Sequence, residues 1–299
     1  MPRAPGIILR GPSKGRSMQF IETEVSEDFT REVALPEPAM NLARAGLLFA
    51  QAEYPQLDCE WYLGQLDLIA RDISARSNPD SDLATRLAVM NEYLFGDLGY
   101  AGNMDNYYDP RNSYLNEVID RRIGLPITLS IVFLELAQRV GLRARGISFP
   151  GHFLVAVSEG NGDIIVDAFD GGVCLPRATF IERLQERAEA NTSLAALESA
   201  LAPASKTDIL LRQLRNLKAV YVEQGEADKS LTVANHMLMI NPDLVPELLE
   251  RAALYNSLGY SRGAVMDYER ALLQIPDGEL HTEIRERMVC AKEHAQHLH

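Results

Sequence analysis

Cysteine is scarce in this sequence of 299 residues, which contains only Cys59, Cys174 and Cys290, with no two of them close together. A disulfide framework needs paired cysteines and a structural zinc site needs closely spaced ligands, so neither is expected to organise the chain. Free thiols are typical of a reducing compartment, and we therefore expect a cytoplasmic location. No motif indicates a cofactor or a resident metal.

Basic residues and long apolar runs are also in short supply. The chain has 29 Lys and Arg against 42 Asp and Glu, which gives a net charge of −13 and a pI of about 5.0. Phosphate binding needs a basic face, so we expect no nucleic-acid partner. No apolar run approaches the ~20 residues of a membrane span, so we expect no membrane partner either.

The basic residues that are present are unevenly distributed. Residues 1–17 contain four of them and no acidic residue. We interpret this segment as a disordered basic tail. A chain of this length favours about two further domains, and a change in pattern near Pro203 places them at residues 18–205 and 206–299.

The first of these domains begins with predicted helices between residues 38 and 98. Asp58 is suited to cap one of them, whose broad apolar stripe includes Trp61 and Leu68. Asp82 is predicted to begin another, which continues through Leu94. Cys59, in the first turn of its helix, is interpreted as a small buried residue beside Trp61, with a thiol of lowered pKa as the alternative.

The stretch from Asn112 to Gly172 has a different pattern. Asn112 or Ser113 is predicted to cap a short helix that Gly124 ends. Pro126 then occupies a first helical position, and residues 127–140 form a helix that is apolar on nearly every side, which indicates a position in the middle of the domain. Strands follow at 143–149, 152–157, 164–167 and 173–175, the middle two as a hairpin. The fold class is therefore α+β, with a small antiparallel sheet against a buried helix.

Residues 206–299 are predicted to be entirely helical and to repeat. Gly225 and Gly259 are 34 residues apart in the sequence, and so are Pro242 and Pro276. This period resembles tetratricopeptide repeats, with units at Leu211–Leu244 and Val245–Gly278 and a capping helix at Glu279–His297. Such helical hairpins bind protein or peptide segments, and here they can equally serve to stabilise the first domain.

Three segments, NSYLNEVIDRRIGLPITLS, FPGHFLV and IIVDAFDGG, resemble the transglutaminase-like superfamily. With the repeats, the overall plan resembles its bacterial SirB-like branch, which is described as regulating expression. The resemblance implies a cysteine-protease-like core with a nucleophilic cysteine at a helix N-terminus, a histidine base and an orienting aspartate. His152 and Asp167 match the latter two. The cysteine position falls on Pro126.

Other residues near this helix are candidates for a nucleophile or a binding site. A register shifted by two would place Thr128 at the cysteine position, with Ser130 further from the helix start, and Cys174 is a remoter option. Asn116, Arg121 and Arg122 precede Pro126 and can face the same cleft, where a guanidinium fork suits a carboxylate or phosphate. They can equally be ordinary helix residues exposed to solvent.

Three functional hypotheses follow. The preferred one is a non-catalytic protein whose degenerate cleft and repeat tail bind another protein or peptide in a regulatory role. The alternative is an amide hydrolase or acyl transferase that uses Thr128 or Ser130 with His152 and Asp167. A weaker third is a metal-dependent activity through His152 and Asp167.

Overall fold

A computed structural model describes residues 27–159, 162–187 and 193–297 of the chain. The basic tail predicted at residues 1–17 lies outside the described residues. The helices are α1 Glu27–Val33, α2 Leu42–Ala50, α3 Cys59–Arg76, α4 Leu83–Asn91, α5 Leu115–Arg121, α6 Pro126–Arg139, α7 Arg177–Arg187, α8 Leu194–Ala200, α9 Lys206–Gln224, α10 Ala227–Ile240, α11 Val245–Ser257, α12 Ser261–Leu272 and α13 Glu279–His297. The strands are β1 Ala101–Gly102, β2 Ile123–Gly124, β3 Arg143–Ile147, β4 Leu154–Glu159, β5 Gly162–Asp167 and β6 Val173–Pro176.

Asp58 and Asp82 cap helices α3 and α4 as predicted, because their carboxylates accept the backbone N–H of Trp61 at 3.1 Å and of Thr85 at 2.7 Å. The helix predicted to run through Leu94 changes character, since the α-helical part ends at Asn91 and a π-helical segment continues over Glu92–Asp97.

The apolar stripe predicted for α3 is narrower than expected. Leu66, Ala70 and Ile73 are buried at helical spacing, whereas the side chains of Trp61 and Leu68 are 52% and 49% exposed. Trp61 and Leu68 lie on a different face of the helix from these buried residues. The Trp61 ring packs edge-on against Tyr62, with 4.8 Å between the ring centroids. Their assignment to the core was wrong, because one face of a helix buries only a limited arc.

Helix α6 is buried along almost its whole length, as its uniform apolarity predicts, and Gly141 follows it with a φ of +73°. The expectation that Asn112 or Ser113 caps α5 was wrong, since Tyr114 occupies the N-cap position and makes no capping hydrogen bond through its side chain. Helix α5 begins at Leu115, and the fully buried Asn112 amide instead donates to the carbonyls of Asn106 at 2.8 Å and Tyr107 at 3.2 Å. It therefore holds the preceding loop in place instead of capping a helix.

The four longer strands form an antiparallel sheet in the order β3-β4-β5-β6, which confirms the predicted hairpin of β4 and β5. Side chains alternate between the faces of the sheet. Val155 and Val166 belong to the core around α6, whereas Leu154 and Ile165 belong to a smaller cluster that includes Ile181 of α7. The sequence did not predict the short parallel pair of β1 and β2.

The helical hairpin α11–α12 and the final helix α13 lie within the predicted bounds, whereas α9 begins at Lys206, before the predicted start of the first repeat at Leu211. Gly225 and Gly259 have φ angles of +75° and +81°, which explains why glycine recurs between paired helices. Residues of α9 and α10 such as Leu214 and Met237 belong to the same hydrophobic core as α6. The expectation that the repeats pack on the first domain is confirmed for this hairpin. Within the described ranges, no helix is both long enough and apolar enough to cross a membrane.

Candidate functional site

His152 and Asp167 form a hydrogen-bonded pair at one end of the two central strands of the sheet. His152 lies in the turn before β4 and Asp167 ends β5, and 2.7 Å separates Nε2 of the imidazole from Oδ2 of the carboxylate. The other carboxylate oxygen accepts the backbone N–H groups of Phe169 at 3.0 Å and Asp170 at 3.2 Å. Burial alone would raise the pKa of Asp167, but the hydrogen bonds from His152 and the backbone outweigh it and hold the pKa below its ordinary value.

The ionised carboxylate determines the tautomer of the histidine. Because an ionised carboxylate only accepts hydrogen bonds, Nε2 of His152 carries the proton. In the neutral imidazole, Nδ1 is then the acceptor. No hydrogen bond to Nδ1 is found among the described residues, so the reactive nitrogen of the ring is available to another molecule.

Arg212 of α9 fixes the turn that contains His152. Its guanidinium donates to the Ser148 hydroxyl at 2.6 Å and to the carbonyls of Phe149 at 3.0 Å and His152 at 2.7 Å. It also lies 5.6 Å from the centroid of the Phe153 ring. Sequence reasoning missed Arg212. Because Arg212 follows Asp208 by four residues, the sequence suggests an ion pair between these two side chains on one helix. In the structure, the Asp208 carboxylate instead accepts a hydrogen bond from the Ser205 hydroxyl in a capping box.

A row of aromatic rings leads from the surface to His152. The ring centroids of Tyr108 and Tyr107 are 5.4 Å apart, those of Tyr107 and Phe169 are 6.2 Å apart, and those of Phe169 and His152 are 6.1 Å apart. The Phe169 ring packs on Gly102, where an added Cβ would lie 2.5 Å from it. Because Gly102 pairs with Gly124 just before α6, this row joins the histidine to the start of that helix.

The start of α6 uses its polar groups for capping. Pro126 is the first helical residue and is buried. The Thr128 hydroxyl accepts the N–H of Leu125 at 2.9 Å and donates to the carbonyl of Asn112 at 2.8 Å. Ser130 is fully buried, and its hydroxyl has no hydrogen-bond partner among the described residues. The structure thus brings His152 and Asp167 together, and it places the Thr128 hydroxyl in the cap of α6.

Neither Cys59 nor Cys174 has the surroundings of a reactive thiol. Burial raises the pKa of Cys59 to about 11, so the alternative of a lowered pKa was wrong. Cys174 pairs with Val166 across β5 and β6, which places it on the sheet face opposite to Asp167. Burial raises its pKa as well, although Asn91 donates to its sulfur at 3.2 Å.

Asn116, Arg121 and Arg122 have separate surroundings. Asn116 is buried, and its Oδ1 has no partner in the part of the chain that the structure describes. One guanidinium nitrogen of Arg121 lies 3.9 Å from a carboxylate oxygen of Asp109. Arg122 ends α5 in a left-handed conformation, with a φ of +60°, and donates to the Leu98 carbonyl at 2.8 Å. Over the described ranges, no group of three His, Cys, Asp or Glu side chains is arranged to hold a metal ion.

Comparison with known proteins matches both parts of the chain. A family model described as transglutaminase-like superfamily matches residues 60–215, which is more than half of the sequence. The chain belongs to this superfamily. A tetratricopeptide repeat model matches residues 217–289 of the transglutaminase-like protein. Repeats of this kind commonly mediate protein interactions.

Relatives of this transglutaminase-like protein occur in several bacteria. A UPF0162 protein of Xylella fastidiosa (strain Temecula1 / ATCC 700964) is 38% identical over 245 residues, which are 80% of this chain and 86% of that protein. A UPF0162 protein of Vibrio cholerae is 24% identical over 241 residues, 80% of this chain and 88% of that protein. The human F-box only protein 21 is 36% identical over 84 residues, 28% of this chain and 13% of that protein. No solved structure matches.

Proposed function

We propose that this transglutaminase-like protein is a SirB-like regulatory factor that binds a protein or peptide segment and does not catalyse a reaction. The observation that carries the proposal is the hydrogen bonding of Thr128. Its hydroxyl donates its single proton to the Asn112 carbonyl, so that proton is not donated to His152. Pro126 offers no nucleophilic atom at the position that the superfamily gives to cysteine.

The surface beside His152 is suited to binding. Tyr108 is the outermost ring of the row that ends at the histidine, and it is 63% exposed. Met104 precedes it in the same loop and is 78% exposed. Exposed apolar side chains that lie together are typical of an interaction surface. The available Nδ1 of His152 adds an acceptor for a backbone N–H of the bound segment.

The repeat hairpins provide a second surface for the same partner. Leu273 after α12 and Met266 on it are 84% and 69% exposed, and both belong to the part of the chain that matches the tetratricopeptide model. Removal of residues 206–299 is unsuitable as a test, because α9 contributes Leu210, Leu214 and Leu217 to the core of the first domain. Substitutions of exposed residues are needed instead.

A hydrolase or acyl transferase is the second candidate, and the 2.7 Å contact of His152 with Asp167 favours it. Such a reaction requires the Thr128 or Ser130 hydroxyl to give its proton to Nδ1 of His152. For Thr128 this would break the cap of α6. We expect a fluorophosphonate probe to leave both residues unlabelled. Labelling in the wild type that disappears in His152→Ala would establish the enzyme instead.

Peptide selection tests the binding proposal. A phage-displayed peptide library is selected on the immobilised full chain, and the selected peptides are measured by fluorescence anisotropy. We expect Tyr108→Ala to weaken their binding by about tenfold, as for an exposed aromatic anchor. Trp61→Ala is the matched control, because Trp61 is a similarly exposed aromatic residue that packs against Tyr62 on α3. Equal binding to wild type, Tyr108→Ala and Leu273→Ala would refute the proposal for both surfaces.

A further inference from the structure

Arg212 is a partly buried cation without an acidic partner among the described residues. Its three hydrogen bonds go to one hydroxyl and two carbonyl oxygens, all of them neutral. Burial lowers the pKa of this guanidinium; arginine side chains stay charged in proteins. A cation that is withdrawn from water and paired only with neutral dipoles favours an additional anion.

The guanidinium retains the capacity to bind such an anion. It has five N–H donors in a planar fork, and the hydrogen bonds to Ser148, Phe149 and His152 occupy three of them. Two donors therefore remain. A carboxylate accepts two parallel N–H groups from such a fork, which makes it the anion of matching shape.

The cation and the row of rings meet at a single residue. The carbonyl of His152 accepts from Arg212 at 2.7 Å, while the imidazole of His152 packs edge-on against Phe169. The aromatic row and the cation thus both contact His152. A ligand that carries a ring and a carboxylate on one residue, as the C-terminal tyrosine or phenylalanine of a peptide does, suits both.

We propose that the surface beside His152 binds the C-terminal aromatic residue of a peptide, with the terminal carboxylate on Arg212. The ligand ring packs against Tyr107 and Phe169, and its backbone N–H donates to Nδ1 of His152. This assignment rests on the proposed binding function and adds the chemistry of the ligand. The site would then be formed by both parts of the chain, because Arg212 lies on α9 of the first repeat hairpin and His152 lies in the first domain.

A pair of small probes isolates the carboxylate. N-acetyl-L-tyrosine and N-acetyl-L-tyrosinamide carry the same ring and the same amide N–H, and only the first has a terminal carboxylate. Both are titrated into the full chain, and binding is followed through the NMR signals of the His152 ring. We expect the acid to bind about tenfold more tightly than the amide, as one charge-assisted bidentate contact implies.

Three protein variants complete the test. Arg212→Gln should bind the acid and the amide equally, whereas Arg71→Gln, an exposed change of the same charge on α3, should keep the preference. Tyr107→Ala should weaken both probes by a similar factor. If Arg212→Gln disturbs the His152 turn, the comparison of acid with amide on the wild type still decides the question.

The outcomes separate this inference from the proposed function. Equal affinity of the wild type for acid and amide would overturn the carboxylate site and leave the proposed peptide binding beside His152 intact. No change in the His152 signals up to about 10 mM of either probe, the weak limit for fragments of this size, would also overturn it.

Discussion

The phenol oxygens of Tyr114 and Tyr221 lie 2.8 Å apart in a buried hydrogen bond that joins the start of α5 to α9. Both side chains are almost fully buried, and Tyr114 also stacks on Phe49 with 5.6 Å between ring centroids. Burial raises the pKa of both hydroxyls, so both stay protonated at neutral pH. The first domain and the repeats therefore share a polar contact inside one core.

Replacing either tyrosine should destabilise the whole chain. Tyr114→Phe or Tyr221→Phe leaves one buried hydroxyl without its partner, and we expect each to lower the free energy of unfolding by about 1–2 kcal/mol. The loss of unfolding free energy in the double variant should be smaller than the sum of the two single losses, because no buried hydroxyl is left without a partner. Urea unfolding measures all three. Additive effects would show that the hydroxyls do not interact.

Thr128 can be tested as a capping residue. Thr128→Ala removes the acceptor of the Leu125 N–H and the donor to the Asn112 carbonyl, so we expect a loss of about 1–3 kcal/mol in the free energy of unfolding. Thr128→Ser keeps the hydroxyl and should recover most of it. Peptide binding to the surface beside His152 should be the same in both variants once they are folded. A stable Thr128→Ala variant that has lost a measurable hydrolase activity would assign the hydroxyl to catalysis instead.

The buried His236 should make stability depend on pH. Its ring lies between Phe29 and Phe49 at centroid distances of 4.9 and 5.0 Å, and Nδ1 donates to the Thr232 carbonyl at 2.8 Å. Burial lowers its pKa below the ordinary value of 6.5. The unfolded chain therefore takes up a proton first as the pH falls below 6.5, and stability should decline by up to about 1.4 kcal/mol per pH unit until the folded pKa is reached.

The variant His236→Phe keeps an aromatic ring in the same place and removes the titrating group. As the pH falls below the ordinary histidine pKa, the wild type should lose stability relative to the variant, because only the wild type carries the buried histidine. Above pH 7 the difference should be constant. Parallel stability curves from pH 5 to 8 would assign the pH dependence to other residues. Thermal unfolding in matched buffers supplies both curves.

Alkylation should separate the three cysteines. Burial raises the pKa of the Cys59 and Cys174 thiols, and Cys59 is buried whereas Cys174 and Cys290 are exposed residues. Because the thiolate is the nucleophile, iodoacetamide at pH 7.5 should label Cys290 first and Cys59 last. Mass spectrometry of the digested protein follows each site, and labelling in denaturant should remove the order. Fast labelling of Cys174 in the folded protein would reopen its role as a nucleophile.

Gly102 supports the Phe169 ring. In Gly102→Ala the new Cβ would lie 2.5 Å from ring atoms of Phe169, so the ring must move, and we expect a loss of about 1–3 kcal/mol in stability. The NMR signals of the His152 ring should shift, because Phe169 packs against it. Gly64→Ala on α3 is the control, since nothing lies within 4 Å of its Cβ, and it should raise stability by about 0.5–1 kcal/mol. Unchanged His152 signals would show that the ring contact is not maintained in solution.

Local signals in the sequence were sufficient for much of the fold. Asp58 and Asp82 marked helix starts because a short carboxylate caps the N–H groups a few residues ahead of it. The spacing of Gly225 and Gly259 predicted the helical repeats, because the turn between paired helices requires a positive φ at both positions. The side chain of Trp61 was misplaced because periodicity identifies an apolar face without saying how much of it a neighbouring element covers.

Only part of the candidate site could be predicted from the sequence. His152 and Asp167 were found because the segments that contain them resemble the transglutaminase-like superfamily. Arg212 was missed because its contact with His152 spans 60 positions of the chain, and nothing local distinguishes it from other arginines. The role of Asn112 was misread for a related reason, since its bond to Thr128 depends on where α6 packs.

Helix α1 and helix α10 meet in one core, where the Phe29 ring packs edge-on against His236. At the surface beside it, the Thr30 hydroxyl donates to the sulfur of Met239 at 3.9 Å, across a separation of 209 residues. Contacts between such distant parts of the chain require the closure of a long loop, which has an entropic cost. During synthesis the first domain cannot be completed until the ribosome has translated α10. Nascent chains that stop before α10 therefore expose the apolar surfaces of α2 and α6, which makes them substrates for chaperones and proteases.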